Sequence, residues 1–320
     1  MGRAAVRKDR RAFRPAAAPT IATEVRGMDR VFDVHVHYPA GSIMGFADRL
    51  GRPDNVSERD RRNALEAVVA QCESAGIVKS CLLGGWGRVN AWVLEACRLY
   101  PSLFLPLAYL DLDQGTPDTV EKIKGEGFKG VKLNFPRRNY DDPAYMPLYE
   151  RLCRHGLVLL FHTGVSGGSE DYLDQDPRAS SGAGSEFETS FASLGTSSAR
   201  MRALYLDTIA MAFPELRIIG AHVGYGEYDL ACAVARWRRN VYFDLSGGDV
   251  VRRHLRERGI IGREISANKL CFGSDCATPS IAAEVEIWKR QLSDAGLDGT
   301  AAEKVLYGNA AWLFGVAQGQ

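Results

Sequence analysis

The 320-residue chain has no apolar run of about 18 residues, so nothing in it reads as a membrane-spanning helix. Its seven cysteines (Cys72, Cys81, Cys97, Cys153, Cys232, Cys271 and Cys276) are odd in number and scattered, with no paired-ligand spacing. That excludes a disulfide framework and a cysteine-built zinc site, and predicts free thiols in a reducing compartment, the cytoplasm. Net charge is also lacking: +1 over the whole chain gives no reason to expect a nucleic-acid or membrane partner. No repeat is visible. What is present is ordinary for a soluble globular chain with a sizeable core, 46% hydrophobic and 25% charged residues.

The charge is unevenly spread. Residues 1–30 hold eight Arg or Lys against three acids, which leaves the remainder close to minus four. Ala16-Ala17-Ala18 is interrupted by Pro19, so the tail lacks the apolar stretch of a secretory signal and reads as a disordered basic segment over 1–29. From residue 30 onward the pattern alternates. Strands are predicted at 31–37, 77–83, 103–110, 128–134, 157–162, 216–222, 241–245 and 270–275. Helices are predicted at 58–75, 89–100, 116–125, 145–153, 198–213, 228–238, 250–258, 280–295, 301–307 and 309–314, with Ser57 as a cap and Gly76 as a stop for the first. Such alternation implies a parallel sheet with helical crossovers. Eight units over roughly 250 residues favour a closed (β/α)8 TIM barrel, a single domain over 30–320. A dinucleotide-binding sheet would want G-x-G-x-x-G after the first strand, and the residues after His37 do not supply it.

The first strand carries the strongest chemical signal. In Phe32-Asp33-Val34-His35-Val36-His37 polar and apolar residues alternate, placing Asp33, His35 and His37 on one face and Val34 and Val36 on the other. Two imidazoles beside a carboxylate make a poor core and a good metal site. Barrel enzymes place their chemistry at the carboxyl ends of strands. Those ends supply His35 and His37 on strand one, Lys132 on four, His162 on five, His222 on six and Asp275 on eight. Four of the six histidines fall at strand ends, while His155 and His254 lie in helical stretches. A single buried His is usually a satisfied core residue, but four and an Asp converging on one rim are hard to explain structurally.

This set resembles the amidohydrolase superfamily, and the surrounding phrases resemble its amidohydrolase-related branch. Those phrases are Gly127-Phe128-Lys129-Gly130-Val131-Lys132, Phe213-Pro214-Glu215-Leu216 leading into Ala221-His222-Val223-Gly224, and Gly308-Asn309-Ala310. The branch includes metal-dependent hydrolases and non-oxidative decarboxylases of small, often aromatic or unsaturated carboxylic acids. The resemblance implies His35, His37, His162 and Asp275 as ligands of one divalent metal, zinc first, with manganese, magnesium or iron as alternatives. It implies His222 as the group that polarises the substrate or steers the water. Three neutral imidazoles and one carboxylate leave the ion net charge to lower its water's pKa towards about 7. Asp275 would take that water's proton and pass it to the leaving group.

Lys132 is expected to contact a substrate carboxylate, with an ion pair to a neighbouring acid as the plain alternative; in binuclear relatives a carboxylated Lys at this place bridges two metals. Arg137 could assist on the same loop, and Trp86 and Tyr225 could stack on a planar substrate. Asp33 could brace a ligand. Cys276 reads as packing. Tyr242, Asp244 and Ser246 share a face of strand seven and resemble the branch's own phrase, without an assigned role. The 35-residue connection over 164–198 leaves the catalytic rim and reads as a lid or a surface insertion. The expectation is a divalent-metal hydrolase of a small carboxylic acid. The alternatives are a metal-dependent decarboxylase on the same site and a non-catalytic metal-binding barrel. A homodimer is compatible with the outer helix faces.

Overall fold

The strand VFDVHVH at Val31–His37 forms β1 of an eight-stranded parallel sheet whose strands follow one another in chain order. The others are β2 (Ile77–Leu83), β3 (Phe104–Tyr109), β4 (Gly130–Leu133), β5 (Val158–Phe161), β6 (Ile218–Gly220), β7 (Val241–Asp244) and β8 (Leu270–Cys271). Two backbone bonds close the sheet on itself, Val34 N–H to Phe272 O at 3.0 Å and Asp275 N–H to His35 O at 2.7 Å. The fold is a TIM barrel, seen in a computed structural model that describes residues 30–39, 56–166, 197–275 and 281–316. The basic tail, most of the 164–198 connection and Cys276 lie outside the described residues.

Helices cross between the strands because their apolar residues recur at helical spacing and need a sheet to cover. They are α1 (Glu58–Ser74), α2 (Val89–Leu99), α3 (Pro117–Gly125), α4 (Met146–Arg154), α5 (Tyr205–Ala212), α6 (Tyr228–Trp237), α7 (Gly248–Glu257), α8 (Ile281–Asp294), α9 (Gly299–Glu303) and α10 (Asn309–Phe314). Ser57 caps α1 by accepting Asp60 N–H, and Thr116 and Thr119 form a reciprocal capping box at α3 with Pro117 in its first turn. No described helix is long and apolar enough to cross a membrane.

The core has two shells. Inside the barrel, Phe32, Val34, Cys81, Leu83, Leu107, Val158, Leu160, Ile219 and Cys271 pack together. Tyr307, Ala310, Ala311 and Leu313 of the last helical segment plug the end where the strands begin, and the Phe32 ring lies 5.6 Å from that of Phe314. The opposite strand faces meet α1–α8 in a larger shell that includes Val36, Leu82, Val131, Leu159 and Phe243.

Three local expectations fail for identifiable reasons. Val34 and Val36 do not share a face: Val34 packs inside the barrel and Val36 outside. Between Asp33 and Val36 β1 spends three steps where β2 spends two, Ser80 to Leu82, so a bulge inverts the alternation. The helix predicted over 198–213 is broken into a turn at Ser198–Arg200 and then α5. The carbonyls of Arg200 and Met201 accept from Tyr140 and Gly164 instead of continuing the helix. The segment after α9 widens into a π-turn at Lys304–Gly308, whose Val305 carbonyl accepts Phe272 N–H from the end of β8.

Candidate active site

At the bulge in β1 the Asp33 side chain bonds back to the backbone. Its Oδ1 accepts His35 N–H at 2.9 Å and Ser274 N–H at 3.0 Å, tying β1 to the chain after β8. Burial pushes the Asp33 carboxyl up to about 6, against the pull of its bonds to Ser274 and His35. Beyond the bulge, His35 and His37 reach the carboxyl-end rim. There Asp275 Oδ1 stands 3.1 Å from the Nε2 of each. Asp275 itself holds a left-handed backbone, φ 55°, which only a residue pinned by its surroundings keeps. The His35 side chain is 1% exposed and that of His37 44%, so the group is buried on one side and open on the other.

Among the described residues, His35, His37 and Asp275 form the group able to hold a metal, their ligand atoms all within 4.8 Å of one another. His162, expected as the fourth ligand, is not part of that group. Its Nδ1 is 3.2 Å from His222 Nε2, while its Nε2 is buried with no hydrogen-bond partner. A buried, unpartnered imidazole nitrogen beside two more imidazoles and a carboxylate is a donor set suited to a divalent ion. The residues present therefore fit the metal that the sequence implies. Burial would raise the Asp275 carboxyl, but the His35 charge and hydrogen bond, with that of His37, outweigh it and hold the group well below the usual range. Burial, reinforced by the neighbouring His222 and Lys132, pushes the His162 imidazolium far down, leaving a neutral ring.

Lys132 at the end of β4 is buried, and its Nζ lies 3.0 Å from His35 Nε2. Burial lowers it to about 8, opposed by Asp275 and Asp244. Asp244, at the end of β7, is fully buried and saturated. Its Oδ2 accepts His35 Nδ1 at 2.8 Å, and its Oδ1 accepts the N–H of His222 at 3.0 Å, the N–H of Ser246 at 3.1 Å and the Ser246 hydroxyl. Burial alone would raise this carboxyl; the charge and hydrogen bond of His35 outweigh it and hold it ionised. Ser246 Oγ lies 2.8 Å from His222 Nδ1. His222 sits in a turn after β6 at φ 61°, not on the strand, and burial lowers it to about 4.

The aromatic candidates divide. Trp86 lies 6.1 Å from Phe135 with rings 16° apart, and Phe135 lies 6.4 Å from His162 with rings 20° apart, so flat surfaces run up to the histidines. Phe135 holds φ 51°, strained for a bulky side chain, with its N–H given to Asn134 Oδ1. Tyr225 turns elsewhere: its ring stacks on His254 at 6.5 Å, and its backbone pairs with Gly164. Arg137 is exposed, and its backbone N–H donates to Asp113 Oδ2 at 2.8 Å. Sequence reasoning gave no role to Asp244, Ser246 or Phe135. Alternation along strand seven marked the first two as a pair; nothing in the sequence marks Phe135, whose place depends on its backbone.

A family model described as amidohydrolase matches residues 32–316. No curated protein matches the sequence. Among solved structures, an uncharacterised TIM-barrel protein from Bordetella bronchiseptica is 18% identical with a TM-score of 0.61, over 89% of this chain and 98% of that one. A 2,6-dihydroxybenzoate decarboxylase from Rhizobium is 17% identical with a TM-score of 0.57, over 90% and 98%. A 5-carboxyvanillate decarboxylase from Novosphingobium aromaticivorans, with bound manganese and 3-methoxy-4-hydroxy-5-nitrobenzoic acid, is 17% identical with a TM-score of 0.55, over 90% and 97%. At these identities the likeness is one of fold.

Proposed function

The chain belongs to the amidohydrolase family, and from that premise we propose that it is a divalent-metal-dependent hydrolase of a small carboxylated substrate. The observation that carries this reading is the convergence of His35, His37 and Asp275 at one rim, with the bare Nε2 of His162 and the ammonium of Lys132 beside them. A divalent ion held by His35, His37, His162 and Asp275, zinc first and manganese next, would supply Lewis acidity and a water of lowered pKa. The rest belongs to the chain itself. Lys132 binds the substrate carboxylate as a buried point charge. Asp275 turns its Oδ1 to the side of His35 and His37 and keeps Oδ2, 3.9 Å from His222 Nδ1, for the proton that leaves the attacking water and reaches the leaving group. His222 steadies that exchange. The free, mostly buried thiols among the described cysteines suit a reducing compartment such as the cytoplasm.

Decarboxylation on the same site is the second reading, favoured by one observation. The rings of Trp86 and Phe135, and of Phe135 and His162, lie near-parallel beside the histidines, a flat arrangement that suits a planar acid, and two fold relatives are decarboxylases of substituted benzoates. The test is turnover by the metal-loaded protein on two panels, carboxylated lactones, esters and amides against hydroxybenzoates, with bond cleavage and carbon dioxide recorded together. Cleavage without carbon dioxide is expected. Carbon dioxide from the aromatic acids would shift the assignment to the second reading, and metal uptake with no turnover on either panel would contradict the enzyme and leave a metal-binding barrel.

A further inference from the structure

Asp244 Oδ1 already accepts the backbone N–H groups of His222 and Ser246, and the bond it makes to Ser246 Oγ needs one more proton. The hydroxyl of Ser246 must therefore supply it, and its only hydrogen is then spent. Ser246 Oγ can meet His222 Nδ1, 2.8 Å away, solely as an acceptor, so His222 carries its proton on Nδ1. A buried neutral His222 then has a bare Nε2. That nitrogen faces His162 Nδ1 at 3.2 Å, which must donate to it. His162, also neutral and buried, is left with no proton on Nε2, the atom that has no partner in the protein.

We propose that Asp244 and Ser246 are positioning residues: through Ser246 and His222 they fix the tautomer of His162, so that it presents a bare Nε2 towards the group of His35, His37 and Asp275. The same carboxylate takes Nδ1–H of His35 directly at 2.8 Å, so one buried acid on β7 orients imidazoles from β1, β5 and β6. The backbone makes room for the relay. Gly247 sits at φ 102°, and a Cβ there would stand 3.2 Å from His222 Nδ1 and 2.6 Å from Val251 Cγ2. The relay explains why His222 is kept at a strained φ of 61°. Only its step from a bare Nε2 to metal affinity rests on the function proposed above.

The test has two readouts. Nitrogen-15 spectra of the histidines in metal-free protein at neutral pH, assigned with single His→Gln variants, are expected to show His162 and His222 protonated on Nδ1 alone. Ser246→Ala removes the acceptor and should turn both into tautomer mixtures, while Ser246→Thr, which keeps a hydroxyl, should restore the wild-type pattern. Zinc affinity measured against a chelator should fall roughly 10–100-fold in Ser246→Ala and recover in Ser246→Thr. A wild-type His162 protonated on Nε2 would overturn the proposal, and this holds even if a variant fails to fold. Unchanged tautomers in folded Ser246→Ala would overturn it too. A wild-type protein with the expected tautomers that binds no divalent ion would sustain the relay and sink the metal reading.

Discussion

Asp33 is fully buried, and one of its oxygens, Oδ2, has no hydrogen-bond partner among the described residues. Its carboxyl is raised from 3.8 to about 6 by burial. A raised acid favours folding at pH below its unfolded value and opposes it as pH climbs to its folded value. Wild-type stability should therefore be penalised progressively from about pH 4 to about pH 6, then evenly above. Asp33→Asn keeps an oxygen for both backbone donors and removes the charge. Urea denaturation of metal-free protein should find it more stable than wild type at pH 8, by on the order of 3 kcal/mol, and not below pH 4. An equal difference at both pH values would contradict this account. At this scale the sequence showed which side chains converge better than how they bond. The strand ends at His35, His37 and Asp275 were legible because alternation and barrel topology point them to one rim. The bond of Lys132 to His35 and the saturation of Asp244 were not, since both depend on which side chain wins a crowded interior.

At the scale of elements, the rim is fixed where backbones approach too closely for any side chain. Gly164 holds φ 92° and pairs with Tyr225, and a Cβ there would lie 2.1 Å from Tyr225 O. Gly164→Ala should lose at least about 2 kcal/mol of stability and weaken zinc binding together, because it displaces the strand end beside His162. Ser57→Ala, which only uncaps α1, should lose about 1 kcal/mol and leave zinc affinity untouched. If Gly164→Ala left affinity intact, this contact would have no part in setting the site. Strands and most helices were readable because their apolar periods report local burial. The breaks were not. The bulge in β1, the interruption before α5 and the π-turn after α9 each arise where a residue far along the chain claims a backbone group, as Phe272 claims Val305. No local pattern carries that information.

At the scale of the whole molecule, the barrel separates stability from chemistry. Phe32 and the C-terminal plug fill one end, and every strand-end candidate that converges, His35, His37, Lys132, His162, His222 and Asp275, lies towards the other. That division is why eight alternating units in the sequence were enough to say which candidates would converge at one rim. The central claim is that this rim holds one divalent ion. It is tested by the metal content of protein purified without added metal or chelator, beside a His35→Ala/His37→Ala double variant. The account predicts about one equivalent per chain, lost in the variant. Two equivalents would point to a carboxylated Lys132 bridging a pair of ions. No metal in the wild-type protein, with none taken up on reconstitution, would contradict it.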